Sequence, residues 1–215
     1  MGRMRWRLRS ALEWLIPLQA LGAQAEGEAT PVELPGPWSV GFALGMHSEG
    51  GPDSSARTHI GKLVRQFKYG GQRHLARRLV GALAQVVGPH LGDRHISVVT
   101  HVPTSRRSSY EPACELAIAL ARALRLRALP RLVRPIRAVR PQKDFTTLWE
   151  KKQNVAGAFA VRRPELVRGR GVLLVDDIYD SGATLAEAWR ALREAGSEEI
   201  VVAALTRTRY LGAGL

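Results

Sequence analysis

Residues 171–205 read GVLLVDDIYDSGATLAEAWRALREAGSEEIVVAAL, and they contain one complete βαβ unit. The apolar run at 172–175 has the composition of a strand in a parallel sheet that is covered on both faces. Apolar residues at 185, 188, 189 and 192 then follow the spacing of one helix face, and Gly196 ends that helix. A second apolar run at 200–205 predicts the next buried strand. This order of elements is typical of an α/β fold.

The loop inside this unit combines carboxylates with small residues. Asp176 and Asp177 end the first strand. The loop itself consists of Asp180, Ser181, Gly182, Ala183 and Thr184. Backbone N–H groups at the start of a helix bind phosphate well, and a glycine allows close approach. The two upstream carboxylates repel phosphate, so we expect them to face a sugar diol and Mg²⁺. The implied ligand is a ribose 5-phosphate that carries a metal-bound group.

The same stretch resembles the phosphoribosyl-pyrophosphate (PRPP) binding motif of type I phosphoribosyltransferases. That motif is an apolar run, two acids, two apolar residues and a small-residue phosphate loop that ends in Gly-Ala-Thr. The alternative is a generic α/β protein with Asp at strand ends and Ser or Thr at helix starts. The resemblance implies an α/β, type I phosphoribosyltransferase-like fold: a doubly wound, mostly parallel sheet with a lid or hood and a small irregular N-terminal segment.

Composition points to a soluble protein with an anionic partner. The chain has 215 residues and a formal net charge of +13, which favours pyrophosphate, nucleotides or nucleic acid as ligands. Because the excess is nearly all arginine, compositional bias of the source genome explains it equally well. The single Cys114 excludes an intrachain disulfide and a cysteine-only metal cage. The histidines are scattered without helical ligand spacing, which argues against a histidine metal site. We expect no membrane span and a cytoplasmic location.

The rest of the chain divides into two predicted regions. Residues 1–37 form a basic amphipathic helix followed by a Gly- and Pro-rich linker, although 1–25 also resembles a signal peptide. Residues 38–215 form the phosphoribosyltransferase-like domain. A polar, basic stretch around 134–156 lacks apolar periodicity and predicts a lid, a binding loop or disorder. The loop after a predicted strand at 96–102 is the candidate pyrophosphate site, or else a solvated basic turn. Its residues are Thr104, Ser105, Arg106 and Arg107.

Over residues 60–205 the chain resembles the ComF (ComFC, GntX-type) family of phosphoribosyltransferase-like proteins, which is associated with DNA uptake. The matching features are a helix that closes on Lys68-Tyr69, the His101-Val102-Pro103 strand end, and the acid pair with its Gly-Ala-Thr loop. The lid residues that match are Arg140, Gln142 and Asn154, beside Lys151, with Gly-Ala-Phe at 157–159. Two departures stand out. The N-terminal four-cysteine module is missing, so we expect no zinc, and SSYEP at 108–112 replaces the family's Arg-Gly-Phe-Asn-Gln.

The sequence supports two functions from different classes. The first is a Mg²⁺-dependent transferase that moves phosphoribose from PRPP to an unknown base. Its catalytic candidates are Asp176, Asp177 and Asp180. Asp180 has two interpretations: it accepts a proton from the base, or it is only an acidic residue of the kind favoured at a helix N-terminus. The second is a non-enzymatic competence factor that binds single-stranded DNA, with PRPP or a nucleotide as a regulatory ligand. The acceptor base and the oligomeric state are open, a homodimer included.

Overall fold

The computed structural model describes residues 30–49, 56–69, 75–104 and 110–209. The predicted N-terminal helix and Ser105, Arg106 and Arg107 lie outside these ranges. In chain order the elements are β1 (Val32–Glu33), β2 (Val40–Ala43), α1 (His59–Tyr69), α2 (Leu75–Val87), β3 (Ile96–His101), α3 (Pro112–Leu124), β4 (Arg127–Ala128), β5 (Val133–Pro135), α4 (Leu148–Val155), β6 (Phe159–Val161), β7 (Gly171–Tyr179), α5 (Ala183–Glu194) and β8 (Ile200–Arg207).

The main sheet has six strands in the order β1-β2-β8-β7-β3-β4. All neighbouring pairs are parallel except β1 with β2, which is an antiparallel edge. The βαβ unit predicted at 171–205 supplies the two central strands, with Val172 opposite Ile200 and Asp176 opposite Ala204. The strand order runs outward from this centre in both directions, so the sheet is doubly wound and mostly parallel, as predicted.

Strand β7 is buried on both faces, as its continuous apolar run predicts. Side chains of a strand alternate between the faces of a sheet. Leu173 and Val175 accordingly belong to the core under α1, α2 and α3. Val172 and Leu174 belong to the second core, which α5 and the β5–β6 hairpin cover. The alternation does not continue to the end of β7, because Ile178 packs against the first core and Tyr179 belongs to the second. Asp176 and Asp177 lie at this change.

The polar stretch predicted as a lid is a folded unit, which we call the hood (residues 133–161). Strands β5 and β6 pair antiparallel, and α4 lies between them in the sequence. Helix α4 begins with a capping box, in which the Thr147 side chain accepts from the Glu150 backbone N–H. The hood is fastened to α5 by Glu187, whose carboxylate accepts from the Phe159 N–H at 3.4 Å and from Arg190 at 2.7 Å.

One element boundary differs from the sequence-based expectation. Strand β1 falls inside the segment predicted as a linker, and Leu34 beside it is only 3% exposed, so the chain joins the core before residue 38.

Helix α1 begins at His59 and is capped by the Thr58 hydroxyl, which accepts from the Gly61 N–H at 3.0 Å.

None of the helices in the described ranges combines the length and the hydropathy that a membrane span requires.

The division of the chain at residue 37 stays a prediction.

Candidate functional site

The two acids at the end of β7 have different hydrogen-bond partners. Asp177 is 8% exposed and accepts a 2.7 Å hydrogen bond from Lys68 Nζ, at the end of α1. Asp176 Oδ1 accepts from the Asp177 backbone N–H at 2.8 Å. Among the residues that the structure describes, Lys68 is the one cation that forms an ion pair with either acid.

Burial and mutual repulsion change the ionisation of the pair. Burial of the Asp176 carboxyl, and after it the charge of Asp177, raises the pKa of Asp176 to about 8. For Lys68, burial alone would lower the pKa, but the Asp177 carboxylate outweighs it and the net pKa is raised. The two shifts favour a charged Lys68 and a protonated Asp176. Donors such as ribose hydroxyls or a divalent cation would favour the ionised form of Asp176.

The predicted phosphate loop lies directly after β7, at the start of α5. Gly182 is the N-cap residue with φ of +75°, and a Cβ there would lie 2.6 Å from Tyr179 Oη. Glycine is thus required both by the left-handed backbone and by the contact with Tyr179. The first turn of α5 has no acidic residue, so no side chain of that turn neutralises the positive end of the helix. Ser181 and Thr184 add hydroxyls on either side of Gly182.

The hood reaches this loop through two predicted lid residues. Lys151 Nζ donates to Asp180 Oδ2 at 2.6 Å, and Gln142 Nε2 donates to Thr184 Oγ1 at 3.2 Å. Lys151 is 6% exposed, whereas the side chain of Asp180 is 45% exposed. Gln142 Oε1 is buried and accepts no hydrogen bond from the described residues. The hood thus contacts the predicted phosphate loop. It places the Lys151 ammonium group and the Gln142 amide oxygen beside that loop.

The other two lid residues fix the shape of the hood. Asn154 Oδ1 accepts from the Arg140 N–H at 3.2 Å, and Asn154 Nδ2 donates to the Arg140 carbonyl at 2.9 Å. This pair of bonds ties α4 to the strand-like segment before it. The Arg140 guanidinium lies 5.0 Å from the ring centroid of Phe145. Arg140 and Asn154 therefore support the hood, while Gln142 and Lys151 contact the loop.

Both carboxylate oxygens of Asp180 are engaged in the structure. Oδ2 accepts from Lys151, and Oδ1 accepts from the Thr208 hydroxyl at 2.7 Å. Asp180 precedes the N-cap by two positions and makes no capping contact with α5. Its structural role is thus to connect the hood, the loop and the end of β8, and a role as proton acceptor requires Lys151 to move.

The predicted pyrophosphate loop begins at the same edge of the sheet. The Val102 N–H donates to the Val175 carbonyl at 2.9 Å, so the end of β3 lies beside the residue that precedes Asp176. Thr104 is exposed two residues further on. Ser105, Arg106 and Arg107 lie outside the described residues, and their assignment to pyrophosphate stays a prediction.

The donor set at the acid pair fits Mg²⁺. Two adjacent carboxylates at one strand end are hard oxygen ligands, which Mg²⁺ prefers. Asp176 and Asp177 would hold the metal directly or through water.

The structure also brings together three residues that sequence spacing did not connect: His101, Glu111 and Cys114, whose ligand atoms lie within 4.8 Å of one another. Both nitrogens of His101 are already used, because Nε2 accepts from the Arg131 N–H at 3.1 Å and Nδ1 lies 3.0 Å from the Val102 carbonyl. Burial lowers the pKa of His101 and, together with Glu111, raises the pKa of the Cys114 thiol. The neutral imidazole thus connects β3 to the start of β5, and this contact is structural.

Three comparisons place the chain among known proteins. The family described as phosphoribosyl transferase domain matches residues 107–210. Competence protein F of Haemophilus influenzae is 32% identical over 154 residues, which cover 67% of this chain and 66% of that protein. DNA utilization protein YhgH of Escherichia coli is 29% identical over 156 residues, which cover 69% of this chain and 67% of that protein. The chain therefore spans about two thirds of the length of these curated relatives.

Among solved structures, adenine phosphoribosyltransferase is similar with a TM-score of 0.44 and 18% identity, covering 63% of this chain and 73% of that one. Glutamine PRPP amidotransferase from B. subtilis has a TM-score of 0.44 and 23% identity, covering 66% of this chain and 30% of that one.

The matched family spans β7, α5 and β8, which are the elements that carry the acid pair and the phosphate loop. The relatives extend the match over two thirds of the chain. The chain belongs to the competence protein F family of phosphoribosyltransferase-like proteins.

Proposed function

We propose that this protein binds Mg²⁺-PRPP at the carboxyl end of β7 and transfers its phosphoribosyl group to a base, with release of pyrophosphate. The observation that carries the proposal is the juxtaposition at one strand end. There, the Asp176–Asp177 pair adjoins a glycine-capped helix N-terminus, and the hood presents Lys151 and Gln142 beside that N-terminus.

Each part of the site suits one part of PRPP. The N–H groups at the start of α5, with Ser181 and Thr184, suit the 5-phosphate because they supply donors and the positive end of a helix dipole. Asp176 and Asp177 suit the ribose diol, since carboxylates accept strong hydrogen bonds from hydroxyls. The loop that starts at Thr104 suits the pyrophosphate. Lys151, already 2.6 Å from Asp180, lies close enough to the loop to approach a bound phosphate.

Transfer requires that the bond from ribose C1 to pyrophosphate weakens while positive charge develops on the sugar. The carboxylates of Asp176 and Asp177 stabilise this charge and fix the ring by its hydroxyls, and cations around the pyrophosphate favour its departure. Mg²⁺, when bound, supplies charge neutralisation for the leaving group. The hood excludes water from the phosphate loop, which protects the reactive sugar from hydrolysis. Asp180 accepts a proton from the incoming base once Lys151 moves to the phosphate.

The transfer is tested by pyrophosphate release from Mg²⁺-PRPP across a panel of purine, pyrimidine and carboxylated bases. We expect release that depends on one class of base and falls at least about tenfold in Asp177→Asn, because a charge-assisted hydrogen bond to the sugar is lost. An Asp177→Asn protein that releases pyrophosphate at the wild-type rate would contradict the role of the acid pair. No release with any base would contradict the transferase reaction and leave PRPP binding to be measured separately.

The second candidate is a non-enzymatic factor that binds single-stranded DNA. The observation in its favour is Trp149 on α4, whose side chain is 69% exposed on a hood that is rich in cations. An exposed aromatic among cations is a stacking platform for bases. We expect such binding to weaken steeply with salt and to be reduced in Trp149→Ala. A flat salt dependence would count against this function.

A further inference from the structure

A cleft of about 650 Å³ lies beside the proposed PRPP site and is not used by it. We call it the α1 cleft, and it is lined chiefly by Glu49, Arg57, Lys62, Arg65, Gln66 and Tyr69. One wall is the outer face of α1, whose exposed residues at 62, 65, 66 and 69 follow helical spacing. The other wall is the antiparallel pairing of Ser48 with Arg57, where the Glu49 N–H donates to the Ala56 carbonyl at 2.8 Å.

The two walls are fixed relative to each other. The Thr58 hydroxyl donates to the Met46 carbonyl at 2.5 Å. A Cβ on Gly61 would lie 2.0 Å from the His47 carbonyl oxygen, so the backbone before the cleft packs directly on α1. A volume of this size is within the range of small-molecule sites in proteins. The α1 cleft is thus a preformed feature rather than a gap between loosely packed elements.

Among the described residues, the cations that line the α1 cleft outnumber its acids. Arg57, Lys62 and Arg65 line it together with one acid, Glu49, and no described carboxylate forms an ion pair with any of these three cations. The Nε of Arg57 is buried and finds no hydrogen-bond acceptor among the described residues. An unsatisfied buried donor beside uncompensated cations indicates an anionic ligand that accepts hydrogen bonds.

Tyr69 adds an aromatic surface to this anion site. Its side chain is 74% exposed at the last turn of α1, and Lys68 Nζ lies 5.7 Å from its ring centroid. A solvated basic helix face does not need an exposed aromatic ring, whereas a ligand that contains a planar ring gains stacking energy there. The combination of a ring with phosphate-binding cations is the chemistry that recognises a nucleotide.

The α1 cleft also adjoins the acid pair. A neighbouring depression shares Arg57, Arg65 and Tyr69 with it and reaches His47 and Ile178, the residue after Asp177. His47 stays neutral, because burial and then the charges of Arg57 and Lys68 lower its pKa. The positive charge of the anion site therefore comes from Arg57, Lys62 and Arg65 rather than from His47.

We propose that the α1 cleft binds a nucleotide unit, with its base stacked on Tyr69 and its phosphate held by Arg57 and Arg65. This site is separate from the 5-phosphate loop at α5 and does not depend on PRPP being the ligand there. The recognised chemistry, a planar base that carries a phosphate, is the same for a free nucleotide and for a unit within a single strand.

The test is calorimetric titration with AMP while ribose 5-phosphate is kept at high concentration to fill the loop at α5. We expect AMP to bind the wild-type protein and adenosine, which lacks the phosphate, to bind more weakly. Tyr69→Leu and Arg65→Gln should each weaken AMP binding at least about fivefold, because stacking or a phosphate contact is lost. Both residues are exposed, so neither change removes a core contact.

Two matched variants serve as controls. Tyr69→Phe keeps the ring, and Arg122→Gln removes the same charge from exposed α3, so both should bind AMP as the wild type does. No AMP binding by the wild type, or AMP binding that is unchanged in both Tyr69→Leu and Arg65→Gln, would overturn the proposal. A second titration, with a short oligoadenylate, shows whether the cleft binds a free nucleotide or a unit of a single strand. If the oligoadenylate binds more tightly than AMP and this gain is lost in Tyr69→Leu, the ligand is a single strand. If the oligoadenylate binds no more tightly than AMP, the ligand is a free nucleotide.

Discussion

At the residue scale, the ionisation of the acid pair follows first from burial. Burial of the Asp176 carboxyl, and after it the charge of Asp177, raises the pKa of Asp176. Asp177 accepts a hydrogen bond from Lys68 Nζ, whereas Asp176 Oδ1 accepts one from the Asp177 backbone N–H. Asp176 is therefore the group that responds to a ligand that brings positive charge.

The raised pKa predicts how stability depends on pH without ligand. Between its ordinary value of 3.8 and about 8, Asp176 is protonated in the folded chain and ionised in the unfolded chain. The folded state binds more protons there, so the free energy of unfolding falls as pH rises through this window. Asp176→Asn is neutral at every pH, so we expect its advantage in stability over the wild type to grow from about pH 5 to about pH 8.5. Urea unfolding of both proteins without Mg²⁺, at several pH values, measures this difference in the free energy of unfolding. A difference that does not change with pH would refute the raised pKa of Asp176.

At the scale of elements, the conformation of Gly182 determines how α5 begins. Alanine in a left-handed conformation costs about 1–2 kcal/mol, and its Cβ would also displace Tyr179, whose hydroxyl donates to the Pro35 carbonyl at 2.7 Å. We expect Gly182→Ala to lower the free energy of unfolding by about 1–3 kcal/mol. The control is Gly92→Ala, where a Cβ meets nothing within 4 Å. Equal denaturation midpoints for the two variants would show that the turn tolerates a side chain.

The hood is held to the loop by few contacts, and α4 depends on them. Among its eight residues only Lys151 and Val155 are buried. Lys151→Met keeps the length of the side chain and removes its hydrogen bond to Asp180, so we expect the amides of α4 to exchange about tenfold faster. Lys152→Met, on the exposed side of the same helix, should leave exchange unchanged. Hydrogen exchange that is the same in the two variants would mean that the Lys151–Asp180 contact does not hold the hood.

At the scale of the whole molecule, the sequence predicted the centre of the sheet better than its surroundings. The unit at β7, α5 and β8 is contiguous, so apolar runs and a small-residue loop were sufficient to identify it. The hood was predicted as a lid, a binding loop or disorder, without helix α4, because its folding depends on contacts such as Glu187 with Phe159 rather than on apolar periodicity. The Lys68–Asp177 ion pair and the α1 cleft were not predicted, since both join segments that are distant in the sequence.

In the proposed function the acid pair, the phosphate loop and the hood act together to bind Mg²⁺-PRPP. The decisive experiment is calorimetric titration of PRPP into the wild type and Asp177→Asn, each with and without Mg²⁺, with Lys68→Met as a control for the lost ion pair. We expect binding that requires Mg²⁺ and weakens at least about tenfold in Asp177→Asn. Binding of equal strength by both proteins, or no binding by the wild type in the presence of Mg²⁺, would contradict it.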